Sequence, residues 1–543
     1  MRRLWPFAAI AAVALALWAP MLFVVRPGDS WGYDLNWSTQ FSGLVASGDL
    51  YPRWTPTSFF GLGAPTFDFY PPLGFWVAAL VRLASGGALG PVLELKLAFL
   101  ALIGGSGLAM YAWLRTAAAA PAAVLGAILF MAAPYHLDDL YVRGAFAELA
   151  AFALLPLLAL GLSRTAAGAR LGPLGLALAW AGLILAHLPT ALLAGVFLVA
   201  PYGLMLLAQS QRRLVFAARA GAALALGTGL AAIYLVPALA LQPFVSADYW
   251  WSERFQAADR LFLNPKAWTM ALEPYLAAVS IVETAAAIAI SAIAWRANRR
   301  SVAIWGVVAA VVFAAIAGLL PGFWSLPLMS KVQFPWRAIA VAEIAVATVV
   351  AWAPWPKSLA GRLPAICLAA LVAANLAQVG KDLASGPPTA PVGGYGAAFP
   401  TSVDAPEYLP KGMLTMTPAG PMPAVDLARL TALPLASRGA ATARPDGSVD
   451  VRLAPGPTAA LVVRRFYFPA WTATCDGQPV TVAPSDPGRL VSFTPPASAK
   501  ACDLAIGRTP SEQLGGWLSL ASLALILAWA AFAARRRLSP SPG

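Results

Sequence analysis

Charge is what this sequence has least of. Only 11% of its 543 residues are Asp, Glu, Lys or Arg, where a soluble domain carries about 25%. With 59% hydrophobic residues and a mean hydropathy of +0.70, most of the chain has to be solvated by lipid rather than by water. Histidine and cysteine are scarcer still, at two and three residues. Three cysteines exclude a disulfide-dense scaffold. His136 and His187 come from separate apolar runs without ligand-like spacing, so even with Asp138 and Asp139 nearby no metal ligand is assigned, and a divalent cofactor stays open. No glycine-rich loop followed by Lys is present, which excludes a nucleotide-driven pump, and no Ser/His/Asp arrangement can be assembled. The net charge of +13 falls in short clusters between apolar runs. Without an aromatic-interleaved basic groove, nucleic acid is not expected as a partner.

What the sequence does hold is a series of long Ala- and Leu-rich runs. Crossing a hydrocarbon core of about 30 Å takes about 20 helical residues, and these runs are too long and too continuous for membrane strands. Read as helices, they cover about 7–25, 92–114, 121–135, 146–163, 171–187, 190–208, 214–237, 275–295, 302–320, 338–354, 363–379 and 515–534. The run Leu73–Leu83 is short and carries Arg82, so it reads as an amphipathic element lying along the outer surface. The basic residues then sort to one side. Arg2 and Arg3, Arg115, Arg164 and Arg170, Arg212, Arg213 and Arg219, Arg296, Arg299 and Arg300, Lys357 and Arg362, and Arg535, Arg536 and Arg537 all fall inside, where basic loops are retained. Met1–Val25 has the charge and apolar core of a signal peptide but no small-residue cleavage site, and is read as an uncleaved first helix.

The fold class this predicts is an all-α polytopic membrane protein of about twelve transmembrane helices with a C-terminal β-sandwich-like domain in the periplasm, placed in a bacterial inner membrane. The membrane domain covers 1–379, with a first periplasmic loop and its juxtamembrane helices over 26–91. The outer domain covers 380–512 and is β-rich from about 425, and a last helix with a basic tail covers 513–543. Residues 385–425 carry so much Pro and Gly that extended coil is expected. Farther on, Val449–Leu453 and Leu461–Phe468 alternate, Asp476-Gly477 signals a hairpin turn, and Pro479–Val482 supplies its return strand. Cys475 and Cys502 both lie in this outer segment; a disulfide between them is compatible with that compartment, but two cysteines alone do not decide it.

The polar residues gather on the outer side. Asp34, just past the first helix, sits among aromatic and amide side chains. It suits a general base that takes a proton from a hydroxyl, or equally a cap for a helix at 35–47. Arg143, Arg254, Lys331 and Arg337 stand at the depth of a lipid phosphate, where an arginine fork pairs with phosphate oxygens; interfacial snorkelling or pairing with Glu148 and Glu343 is the bland alternative. Arg337 opens a span and is the strongest of the four. His136 and His187 read as polar caps or substrate contacts. Glu343 lies inside a span, where an ionisable group is by default functional unless it neutralises Arg337. Tyr249, Trp250 and Trp251 read as membrane anchors before sugar-stacking platforms.

The first outer loop resembles that of the GT-C superfamily of membrane glycosyltransferases, which includes protein O-mannosyltransferases and the lipid A aminoarabinose transferase. Asp34 and Pro71-Pro72-Leu73 match, in place and order, a loop Asp and a Pro-Pro-Leu element of those enzymes. A closer resemblance is to a bacterial membrane family that carries the name 6-pyruvoyl-tetrahydropterin-synthase-related, and to membrane glycosyltransferases linked to lipoteichoic acid sugars. Its carriers are Tyr51-Pro52-Arg53-Trp54, Tyr70-Pro71-Pro72-Leu73, Tyr141–Ala145 with Glu148, His187-Leu188-Pro189-Thr190, Gln333–Arg337, and Phe468–Trp471 with Asp476-Gly477.

The resemblance implies a GT-C fold and a polyprenyl-phosphate sugar donor, with Asp34 catalytic. It adds Arg53, Tyr70, His187, Glu148 and Gln333 to Arg337, Arg143, Arg254, Lys331 and, from its place at a helix end, His136 as substrate-binding candidates. Many relatives carry a second acidic residue near the catalytic Asp, where this chain has Asn36; metal dependence is therefore open. The expected activity is transfer of a sugar to a hydroxyl of an envelope glycan, lipid or protein on the periplasmic face, in contact with membrane lipids. A transporter or flippase of lipid-linked sugars would instead show internal repeats and broken helices at mid-membrane. A non-catalytic envelope scaffold would tolerate loss of the Asp34 carboxylate.

Overall fold

Proline and glycine cut the apolar sequence into helices where local chemistry dictates. Pro91 opens the Pro91–Leu114 helix after Gly90, at a position where its missing N–H costs nothing. Gly318, with φ 92°, ends Arg300–Ala317 in the left-handed conformation. Pro134 keeps Ala133 extended, at φ −61° and ψ 144°. The run expected as one span at 121–135 is for that reason two helices, Ala120–Met131 and Pro134–Tyr141, bent by 45°.

The computed structural model describes residues 4–23, 28, 30–356, 358–384, 404–417, 420–454 and 459–538. Arg2, Arg3, Lys357, most of the coil expected at 385–425, and the side chains of Arg254 and Arg535–Arg537 lie outside the described residues. Ten helices are long and apolar enough to cross a membrane, or eleven if the bent pair is one span. The chain is a mostly helical, multi-pass membrane protein. The difference from twelve lies in that bent pair and in Gly172–Ala186, whose 15 apolar residues fall short of a full span. Leu73–Ser85 has 13 residues, about 20 Å of helix, and does not span. It buries Phe75, Ala78 and Ala79 against Trp31–Ala46 and Pro91–Leu114.

The C-terminal region is a small set of sheets. Five antiparallel strands run in the order Ala440–Ala443, Val449–Arg452, Ala501–Ile506, Trp471–Cys475 and Gln478–Val480. Leu461–Phe466, Leu490–Phe493 and Ala483–Pro484 make a three-stranded sheet. Asp476 and Gly477, at φ 48° and 82°, form the two-residue hairpin turn that both positive angles permit. Cys475 lies directly opposite Cys502, and the two are disulfide-bonded. A further hairpin, Leu414–Thr417 with Gly420–Pro423, starts before the expected β boundary near 425. Its Pro421 and Pro423 lack N–H groups and hid the strand in the sequence.

These sheets are tied to the loop that follows the first helix, up to residue 72. Arg465 donates from Nη1 to the Gly61 carbonyl and from Nε to that of Gly447, both at 2.8 Å. The Phe466 N–H reaches the Leu62 carbonyl at 2.7 Å. Trp471, from the Phe468–Trp471 motif, packs edge-on against Trp54 with ring centres 5.2 Å apart. The motif holds two parts of the protein together, which explains its aromatic composition.

Candidate functional site

Two glycines set the site. Gly28, at φ 82°, approaches the Arg143–Gly144 backbone so closely that a Cβ would stand 2.2 Å from the Gly144 nitrogen. Only glycine fits. The Ser30 N–H then donates to the Arg143 carbonyl at 2.8 Å, and the Trp31–Ala46 helix starts beside the Arg143 turn. Asp34 sits in the first turn of this helix, yet it does not cap it. Its Oδ2 accepts the Phe146 N–H, the first of the Phe146–Phe152 helix, at 3.5 Å. Its Oδ1 has no partner, and the residue is fully buried. Burial pushes the Asp34 carboxyl well above the usual carboxylate range, against the lowering pull of the Phe146 N–H.

Around the corner lies a cluster of opposed charges. Glu148 Oε2 stands 2.8 Å from Arg143 Nη1 and 3.2 Å from Arg337 Nε. Its Oε1 accepts the Tyr135 hydroxyl at 2.6 Å. Arg143 also pairs with Asp139, donates to the Tyr135 oxygen at 3.0 Å, and lies over the Trp336 ring at 4.7 Å. Two positive and two negative side chains therefore balance in a nearly dry setting. Breaking such a set on one side costs about 3–5 kcal/mol.

Arg337 differs from Arg143 in one respect. Its Nε contacts Glu148 without hydrogen-bond alignment, and among the described residues no hydrogen bond reaches its two terminal nitrogens. Arg143 commits Nη1 to Asp139, Tyr135 and Glu148 inside the cluster, whereas Arg337 keeps both terminal nitrogens in reserve. Tyr70 connects the two halves of the site: its hydroxyl lies within electrostatic reach of Asp34, Arg337, Arg143 and Glu148. Its ring rests on Trp37 at 4.6 Å. His187 belongs to the same group, within reach of Glu148 and Arg337, with Nδ1 held by the Thr190 hydroxyl at 2.8 Å. Asp34, Tyr70, Arg143, Glu148, His187 and Arg337 thus come together.

Other expected residues stand elsewhere. Arg53 is a buried structural hub, 3.0 Å from both Asp68 and Glu512 and donating to the Ile233 carbonyl at 2.8 Å. With its nitrogens so engaged, it has nothing left for a substrate. His136 stacks on Phe152 at 4.1 Å, gives Nδ1 to the Phe130 carbonyl at 2.9 Å, and takes no part in the Glu148 network. Gln333 donates to the Trp250 carbonyl at 3.1 Å, and Lys331 lies over the Trp251 ring at 4.2 Å; both serve the 242–272 loop. The Arg254 side chain is outside the described residues. Glu343 does not neutralise Arg337; it accepts the Tyr135 N–H at 2.7 Å. Among the described residues no three His, Cys, Asp or Glu side chains are placed to share a metal ion.

A protein-family profile described as "6-pyruvoyl-tetrahydropterin synthase related domain; membrane protein" matches residues 67–380, more than half of the chain. The chain belongs to that family. No curated protein matches it at a significant level. The family region carries Tyr70, Asp139, Arg143, Glu148, His187 and Arg337, and leaves out Asp34 on one side and the C-terminal sheets on the other.

One residue beyond the family region escaped the sequence reading. Asp404 reaches back into the loop that follows the first helix, where Oδ1 accepts the Trp37 indole N–H at 2.9 Å and Oδ2 the Thr66 hydroxyl at 2.8 Å. Burial lifts its carboxyl to about 6, against the lowering effect of these bonds. Tyr408, four residues on, stacks on Phe69 at 6.1 Å and touches Trp37. Nothing local marks Asp404 in a stretch rich in Pro and Gly; its partners lie more than 300 residues away.

Proposed function

We propose that this protein is a GT-C-type glycosyltransferase of the bacterial inner membrane. It takes a sugar from a polyprenyl-phosphate donor and passes it to a hydroxyl of a cell-envelope acceptor on the periplasmic face. The observation that carries the reading is one arrangement: a buried carboxyl with an unpartnered oxygen, Asp34, shares Tyr70 with an arginine whose terminal nitrogens are unspent, Arg337.

In the reaction, the acceptor oxygen forms a bond to the anomeric carbon as the bond from that carbon to the donor phosphate breaks. Asp34 Oδ1 receives the hydroxyl proton, and its raised affinity for protons suits a base working near neutral pH. The leaving phosphate gathers negative charge, which the Arg337 fork neutralises. Arg143 and Glu148 fix the orientation of Arg337 but do not themselves touch the donor. Because Asp34 is fully buried, the acceptor reaches it only as neighbouring side chains move aside.

A second reading, a transporter or flippase of lipid-linked sugars, is favoured by Glu283 and Glu343, buried carboxyls inside spans and within electrostatic reach of each other and of Asp138. The two readings separate in a deletion strain complemented with wild type or with Asp34→Asn at equal expression. Under the transferase reading, mass spectrometry of the envelope finds one sugar missing in the deletion, restored by wild type and not by Asp34→Asn. Full restoration by Asp34→Asn removes Asp34 from the mechanism and leaves the transport reading.

A further inference from the structure

At the far end of the membrane helices is a second polar feature. The helical span Phe146–Ala166 has 21 residues, a length of about 30 Å. Phe146 touches Asp34 at one end. Near Ala166, at the other, opens a cleft of about 320 Å³ lined by Arg170, Arg212 and Arg219 together with Val215, Phe216 and Trp529. Candidate site and cleft thus stand one hydrocarbon thickness apart.

Three features mark this cleft as more than a cluster of retained basic residues. Its three guanidinium groups come from two separate stretches of chain and converge on one concavity. Among the described residues none of the three has a hydrogen bond or an ion pair, and no Asp or Glu lines the cleft. Apart from Thr165 and Ser210, its remaining wall is apolar and aromatic, and it continues onto the Arg213–Leu230 and Pro510–Ala531 spans, each of which is only 22% buried in the protein. Those faces are left for lipid chains.

We propose that the cleft binds the phosphate headgroup of an anionic phospholipid, on the membrane face opposite the Asp34 site. Unpaired arginine forks match phosphodiester oxygens. The volume lies at the lower end of the roughly 300–1,000 Å³ usual for ligand sites, enough for one headgroup. The flanking apolar faces accommodate the acyl chains, which a soluble phosphate ion would leave unused. Basic pockets between membrane helices recognise lipid headgroups by this combination.

The test uses the full chain purified in detergent, with melting temperature followed during titration. The probes are short-chain phosphatidylglycerol, phosphatidylcholine of equal chain length, and inorganic phosphate. Phosphatidylglycerol is expected to raise the melting temperature saturably, and the other two are not. In Arg170→Gln/Arg212→Gln/Arg219→Gln the midpoint moves to about 100-fold higher lipid, at about 1 kcal/mol for each arginine. Removing the same charge elsewhere, in Arg296→Gln/Arg299→Gln/Arg300→Gln, leaves the midpoint unchanged. If the triple variant does not fold, Arg219→Gln alone is read, with a shift of about fivefold. An equal loss in the control variant, an equal response to inorganic phosphate or phosphatidylcholine, or no saturable response to phosphatidylglycerol overturns the proposal.

Discussion

One oxygen of Glu148 lies 3.2 Å from the Nε of Arg337. The same oxygen is 2.8 Å from Arg143, so a single carboxylate holds two guanidinium groups that would otherwise repel. Its removal and that of Arg337 should have different signatures. Glu148→Gln leaves two buried cations facing one another and is expected to destabilise by about 3–5 kcal/mol, seen as a lowered melting temperature in detergent. Arg337→Ala leaves Glu148 paired with Arg143. It is expected to lower the melting temperature less than Glu148→Gln does, and to lose transfer about 100- to 1,000-fold at equal protein abundance. Normal glycan in cells carrying Arg337→Ala would remove Arg337 from donor binding.

Asp34 carries a pH dependence with a definite sign. Its folded-state proton affinity is raised above the ordinary 3.8, so ionisation is resisted by the fold. The stability contributed by the protonated form is present at acid pH and is lost as pH rises through the raised value. Transfer activity runs the other way, increasing over the same interval as the base form appears. Asp34→Asn should therefore abolish transfer while the protein melts at the same or a higher temperature near neutral pH. A drop in melting temperature in Asp34→Asn would make the residue structural.

Asp404 separates charge from hydrogen bonding. Its carboxyl is raised from 3.8 to about 6, roughly 3 kcal/mol at 1.36 kcal/mol per unit. That stability is complete below the ordinary carboxylate value and disappears as pH climbs through about 6. Asp404→Asn keeps an acceptor for Trp37 and is expected to flatten this dependence. Asp404→Ala leaves the Trp37 and Thr66 donors without an acceptor, at about 1–3 kcal/mol each. Hydrogen exchange over residues 31–70 should rise in the alanine variant and stay near wild type in the asparagine variant.

Arg53 offers a contrast with Arg337. Arg53→Ala strands Asp68 and Glu512, both buried, and should cost about 3–5 kcal/mol. Its effect on envelope glycan is expected to follow protein abundance on immunoblots. Transfer lost at wild-type abundance would return Arg53 to the substrate site.

The parts of the fold readable from the sequence were those governed by local chemistry. Apolar length gave the helices, and Asp476-Gly477 gave its hairpin because its two positive φ angles are a property of two residues. Pro134 was equally local, holding Ala133 extended, and its break in the 121–135 run was present to be read. Within the site, Asp34, Arg143 and Arg337 were singled out by residue type and depth, and Tyr70, Glu148 and His187 by the motifs of the family resemblance. Their division of labour was not readable. That Arg143 commits Nη1 while Arg337 commits neither terminal nitrogen depends on Tyr135 and Asp139 arriving beside one of them. Arg53 sat in a motif like the others, and its partners Asp68 and Glu512 come from distant segments. Asp404 failed for the same reason.

The bond from Trp37 to Asp404 spans 367 residues, which sets an order of events during synthesis. At about 5–20 residues per second, the loop after the first helix waits roughly 20 to 70 seconds with the Trp37 indole and Thr66 hydroxyl unserved before Asp404 is made. The loop that carries Asp34 therefore matures last, after every intervening helix has been inserted. A chain that stalls or is cut between residues 380 and 404 carries the whole family region and still lacks the acceptor on which Trp37 and Thr66 close.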